Sequence, residues 1–185
     1  MLTDLLKELE VNMQKAVDSL KREYGTLRAG RANPALLEKI SVEYYGTFTP
    51  INQMSNISAP EPRLLVIQPW DRSIIGAIEK AILKSDLGLT PSNDGTLIRI
   101  SIPQLTKERR TELVKVVKKK AEEFKIEIRN LRRDANDSVK KMEREYGISE
   151  DDSRKTLEQV QKVTDKYIER IDKVMANKEA EVLEV

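Results

Sequence analysis

The chain contains no cysteine and no histidine. Their absence removes disulfides, thiolate nucleophiles, Cys/His zinc sites and imidazole general bases together. It also removes any case for a disulfide-stapled secreted domain. Aromatic residues are only 4 % of the 185, which leaves little for stacking the bases of a single strand. No apolar window approaches the roughly 18 residues of a membrane span. The N-terminal Met1-Leu-Thr-Asp-Leu-Leu-Lys7 has no basic region followed by an apolar run. A soluble cytoplasmic protein, not associated with membranes, is expected. Phosphate-binding and nucleophile motifs of the Gly-x4-Gly-Lys-Ser/Thr, Gly-x-Gly-x-x-Gly and Gly-x-Ser-x-Gly types are missing too. No enzymatic activity, metal or cofactor is expected.

What is abundant is charge, at 35 % of residues. Such a composition suits long exposed helices better than a compact globule. The net charge of +2 conceals a segregation. Residues 107–146 carry 14 Lys/Arg against 9 Asp/Glu, whereas residues 147–185 carry 7 against 10. The earlier segments balance, so one stretch alone is basic.

Residues 2–28 read as one amphipathic helix. Leu2, Leu6, Leu9, Met13, Ala16, Leu20, Tyr24 and Leu27 form a near-heptad seam, with Thr3 or Asp4 as cap. Gly25 does not interrupt the seam, and Gly30 is the expected stop. Asn33-Pro34 suits the N-cap and first position of a short helix to Glu38. From Ile40 the period becomes two, predicting a strand through Tyr44, a turn at Gly46-Thr47 and a return strand to Ile51. A short strand is expected at Ile57–Ala59, after which Pro60 and Pro62 break the chain. Leu64–Gln68 is a further strand. A helix capped by Asp71 or Ser73 should run to about Ser85, Thr90–Gly95 should be a turn cluster, and Leu97–Ile102 a strand. Residues 31–104 thus form a small α+β unit.

Thr106 caps the longest periodic segment, whose seam runs from Leu113 to Tyr146 and would span about 60 Å as a helix. Gly147 ends it. After a joint of about two residues, Ser149-Glu-Asp-Asp152 opens a last helix to about Leu183. The expected fold class is α+β: an elongated antiparallel three-helix bundle, residues 1–30 and 105–185, with a β/α/β domain, residues 31–104, inserted. The connections Ala29, Gly30, Arg31 and Pro103, Gln104, Leu105 are candidate hinges of an L-shaped molecule.

The basic stretch centres on Glu127-Ile-Arg-Asn-Leu-Arg-Arg-Asp-Ala-Asn-Asp137. At about 100° per residue, Lys125, Arg129, Arg132 and Asn136 lie beside the apolar seam. Lys107 and Lys118 share roughly that side. Arginine rather than lysine at the centre suits bidentate phosphate contact. The competing reading is a salt-bridged helix surface, with Arg133 paired to Asp137. Positive local charge favours binding to structured RNA through its backbone. Two other classes stay open: a coiled-coil adaptor or chaperone cofactor dimerising through its seams, and a hydrolase with an unrecognised site.

Five motifs, in order, resemble the ribosome recycling factor family. They are Arg28-Ala-Gly-Arg-Ala-Asn-Pro-Ala-Leu-Leu37, Tyr44-Tyr-Gly-Thr47 with Thr49-Pro50, Ser85-Asp-Leu-Gly-Leu89, Pro103-Gln-Leu-Thr-Lys-Glu-Arg-Arg110 and the arginine stretch. The resemblance runs from residue 1 to residue 185. It implies a monomeric factor that binds the large ribosomal subunit after termination. Elongation factor G, with GTP, then pushes on the inserted domain and the subunits separate. It further implies RNA contact by Arg129, Arg132 and Arg133. Arg28, Arg31 and Arg110 rank second, and Tyr44 and Tyr45 are candidates for elongation-factor contact.

Overall fold

A computed structural model describes residues 1–27 and 31–184. The chain divides into two compact units. One comprises Met1–Arg22 with Glu112–Val185, the other Glu23–Thr111.

The first unit is built from three long helices: α1 (Leu2–Gly25), α3 (Lys107–Glu145) and α4 (Glu150–Leu183). Their apolar seams meet in one core, in which Met13, Val17, Leu20, Val117, Ile128, Val139, Val160 and Ile171 are almost wholly buried. Polar contacts at the seam edges give the helix directions. Lys166 pairs with Glu10, and Arg170 donates to Gln14 Oε1 at 2.5 Å. Both partners advance by four residues, so α1 and α4 are parallel. Lys118 pairs with Glu179 and Lys125 with Asp172. Here one number rises by seven as the other falls by seven, so α3 is antiparallel to α4. The heptad seams are thus filled within one chain.

The ends of these helices follow from their caps. Thr106 Oγ1 accepts from the Arg109 amide at 3.1 Å, and Ser149 Oγ from the Asp152 amide at 3.1 Å. Glu150, Asp151 and Asp152 occupy the first turn of α4, where the helix dipole favours acids. Gly147 takes φ 71°, the left-handed conformation that terminates α3. The joint between α3 and α4 is four residues, Tyr146–Ser149, rather than two. The expectation at Gly25 also needs correction, since α1 stops there. A Cβ on Gly25 would lie 3.1 Å from that of Ala35, so glycine permits a close backbone approach, and Thr26 Oγ1 donates to the Glu23 carbonyl at 2.7 Å.

The second unit contains a hairpin, β1 (Ser41–Tyr44) with β2 (Thr47–Pro50), and an antiparallel sheet. The sheet order is β3 (Ser55–Glu61), β4 (Leu64–Pro69), β6 (Ile98–Ser101), β5 (Pro91–Asn93). Helix α2 (Ile75–Lys84) packs on β5 and β1. Its Ile78 and Ile82 join Leu36, Leu37, Leu65, Ile67, Ile98 and Ile100 in the core. The short helix expected after Asn33 is a 3-10 turn, Pro34–Leu37, and the Asn33 side chain accepts from the Ala35 amide. Asp71 caps a further 3-10 turn that leads into α2.

Two expectations fail here for one reason. Pro60 lies inside β3 rather than breaking it, and the Thr90–Gly95 cluster contains a strand, β5, that begins at Pro91. Both strands are sheet edges, where a proline's missing N–H costs no ladder bond. A register shift between Ser58 and Glu61 absorbs the local irregularity.

Candidate RNA-binding interface

The sequence places three arginines and a lysine on one stretch of α3, and the structure sorts them by partner. Lys125 is committed to the bundle: its Nζ lies 2.5 Å from Asp172 Oδ1 on α4, and its side chain is only 17 % exposed. Lys118 makes the same kind of bond one heptad earlier, to Glu179. These two lysines are rungs of an interhelical ladder. Arg129 donates through Nη1 to Glu122 Oε1 at 3.2 Å on its own helix, at a partly exposed site. Such a pair contributes at most about 1 kcal/mol and is readily exchanged for another anion.

Arg132 is half-buried and Arg133 exposed, and neither has a hydrogen bond or ion pair among the described residues. The pairing of Arg133 with Asp137 weighed above is not formed. Unpaired cations continue towards the end of α3 with Lys140, Lys141 and Arg144. Sequence reasoning missed these three because the arginine cluster drew the eye. On a helical wheel Lys140 lies about 20° from Arg129, and that spacing was the available signal. Asn136 is half-buried, and its Oδ1 is shielded from solvent without a donor. Its amide Nδ2 makes no hydrogen bond among the described residues, so it has a donor rather than an acceptor to offer. Arg110 belongs to the second unit, where its Nε is likewise buried without an acceptor.

Of the candidate hinge residues, Ala29 and Gly30 lie outside the described residues, as does Arg28. Arg31 is exposed, and the following Ala32 amide donates to the Pro62 carbonyl at 2.6 Å. Pro103 and Gln104 are exposed, whereas Leu105 is buried.

Tyr44 and Tyr45 sit at the hairpin tip. The Tyr44 hydroxyl donates to Asp71 Oδ2 at 3.1 Å, which raises the phenol's pKa. Hydrogen bonds from the Ser73 hydroxyl and amide, and then from Tyr44, hold the Asp71 carboxyl below its usual range. The two tyrosine rings meet edge to face, with centroids 4.5 Å apart. Tyr45 is 87 % exposed and has φ 49°, a left-handed conformation uncommon for an aromatic residue. The turn is therefore Tyr45-Gly46 rather than Gly46-Thr47. Phe48 and Trp70 are also largely exposed in this unit. Few as the aromatics are, three of those in this unit stand exposed.

A model of the family described as ribosome recycling factor matches residues 20–183. The chain belongs to the ribosome recycling factor family. It is 62 % identical to the ribosome-recycling factor of Heliobacterium modesticaldum and 64 % identical to that of Moorella thermoacetica, with full coverage of both chains in each case. Among solved structures, it is similar to the solution structure of a ribosome recycling factor. That match has 47 % identity and a TM-score of 0.78, and covers 100 % of this chain and 98 % of the other. A second match, at 47 % identity and a TM-score of 0.70 with full coverage of both chains, comes from models of the T. thermophilus ribosome recycling factor and the E. coli elongation factor G bound to the E. coli post-termination complex.

Membership of the ribosome recycling factor family agrees with three long helices and a small sheet-bearing unit on one chain. Among the described residues, no helix is long and apolar enough to cross a membrane, and no group of three or more acidic residues is placed to hold a metal ion.

Proposed function

We propose that this chain recycles ribosomes after termination. It binds the large subunit through ribosomal RNA, and elongation factor G with GTP then drives the subunits apart, freeing mRNA and deacylated tRNA. The observation that carries the RNA contact is the pair of unpartnered guanidiniums, Arg132 and Arg133, beside a weakly held Arg129 on a rigid helix. A stiff rod with free guanidiniums meets phosphate without having to break internal bonds. Lys125 ranks below them because its ammonium is engaged by Asp172, and Asn136 and Arg110 because each has one polar atom buried away from a ligand.

The chain itself hydrolyses nothing in this reading, which the missing phosphate-binding motifs support. The work comes from the partner's nucleotide, and movement of the inserted domain transmits it. Tyr45 is the favoured elongation-factor contact, with Tyr44 behind it. An exposed aromatic held at a left-handed φ suits a presented side chain better than a structural one. The protein acts as a monomer in the cytoplasm.

Ribosome splitting followed by light scattering tests the proposal. Scattering should fall only when this protein, elongation factor G and GTP are all present. An unchanged signal with all three would overturn it.

A further inference from the structure

The two flanks of α3 differ in charge. Across the apolar seam from the arginines, α3 faces α1, and the two helices leave a groove of about 450 Å³. Its floor is apolar, with Leu9, Leu131 and Ala135. Its rim is acidic, with Asp4, Glu8 and Asp134. None of these three carboxylates has a hydrogen bond or ion pair among the described residues. Elsewhere in the bundle Glu10, Asp172 and Glu179 all face a lysine across a helix boundary. The α1–α3 boundary supplies acids and leaves them unanswered.

We propose that this groove docks a basic, aliphatic-bearing peptide segment of another protein. Lysine or arginine side chains would meet the rim, and one or two aliphatic side chains would cover the floor. The volume lies within the roughly 300–1,000 Å³ of ligand clefts, and the placement repeats the helix-groove mode of peptide recognition. Charge complementarity selects the occupant. Phosphates are repelled by three carboxylates, so RNA is disfavoured on this flank. A small polyamine has no use for the apolar floor, and a neutral apolar ligand none for the rim. The inference is independent of the RNA contact, since no residue is shared with it.

The experiment titrates ¹⁵N-labelled full-length protein with a synthetic amphipathic peptide of lysine and leucine, while amide shifts are read. The controls are a lysine–serine peptide and a glutamate–leucine peptide of equal length. Shifts should cluster at residues 1–12 of α1 and 131–142 of α3. Neutralising the rim with Asp4→Asn, Glu8→Gln and Asp134→Asn should weaken binding about tenfold. Ser138→Trp, at an exposed position lining the groove, should block binding while thermal unfolding stays unchanged. Shifts scattered over the acidic surface of α4, equal binding of the lysine–serine peptide, or full binding by the rim-neutral variant would each overturn the proposal.

Discussion

Two substitutions on the same face of α3 should have opposite consequences. Arg132 has no partner among the described residues, so Arg132→Ala removes only half-buried surface, and stability should change by less than about 0.5 kcal/mol. A guanidinium–phosphate bond is charge-assisted and contributes about 1.5–3 kcal/mol, so affinity for large subunits should fall roughly 10- to 100-fold. With one phosphate contact fewer, the slope of log affinity against log salt should flatten by about 0.7–0.9. Lys125→Ala inverts this pattern. Its 2.5 Å pair with Asp172 is 17 % exposed on the lysine side and 47 % on the aspartate side. That places it between an exposed pair, at about 0–1 kcal/mol, and a buried one, where breaking costs about 3–5. A loss of about 1–2 kcal/mol is expected, or about 2–4 °C of melting temperature per kcal/mol, with the salt slope unchanged. Sedimentation of purified large subunits at several KCl concentrations, beside thermal unfolding of each variant, separates the two. If Lys125→Ala flattens the slope as much as Arg132→Ala at an unaltered melting temperature, the sorting of cations by partner is wrong.

Other expectations follow from the same contacts. Tyr45→Asn relieves about 1–2 kcal/mol of left-handed strain and loses about 0.5–1.5 from the ring contact. Unfolding should thus barely move, while splitting driven by elongation factor G should slow. Asp94 accepts from the Leu97 and Thr96 amides and from Arg99, which lowers its pKa to about 2. Its folded pKa lies below the unfolded 3.8, so its stabilising contribution is present above pH 3.8 and is lost as pH falls towards 2. Urea unfolding of Asp94→Asn should therefore differ from wild type at pH 7 and converge with it near pH 2. Lys178 is 5 % exposed in α4, and burial lowers its pKa despite Glu181 at 3.6 Å. Thermal unfolding of Lys178→Met should show a bundle as stable as wild type or more so, because the desolvation cost is gone.

The helices were legible because their signals are local and redundant. Thr106, Gly147 and Ser149 each mark an end by backbone chemistry that does not depend on the rest of the fold. Edge strands were harder. Pro60 and Pro91 are breakers when read locally, and only sheet order shows that their strands lie at the edges, where proline is tolerated. For the interface, the wheel grouped Lys125 with Arg129 and Arg132 because it reports direction and not occupancy. Asp172 lies 47 positions away on another helix, so the pair that removes Lys125 from the surface has no local signature. Position on a face was readable, whereas freedom to bind was a tertiary property.

The helix directions bear on how the chain assembles. The contact between Gln14 and Arg170 joins residues 156 apart, whereas α3 and α4 meet across a four-residue link and can zip together as soon as both exist. During synthesis α1 emerges well before its parallel neighbour α4. The greasy stripe of α1 must therefore stay soluble, or be shielded by a chaperone, until α4 has been made.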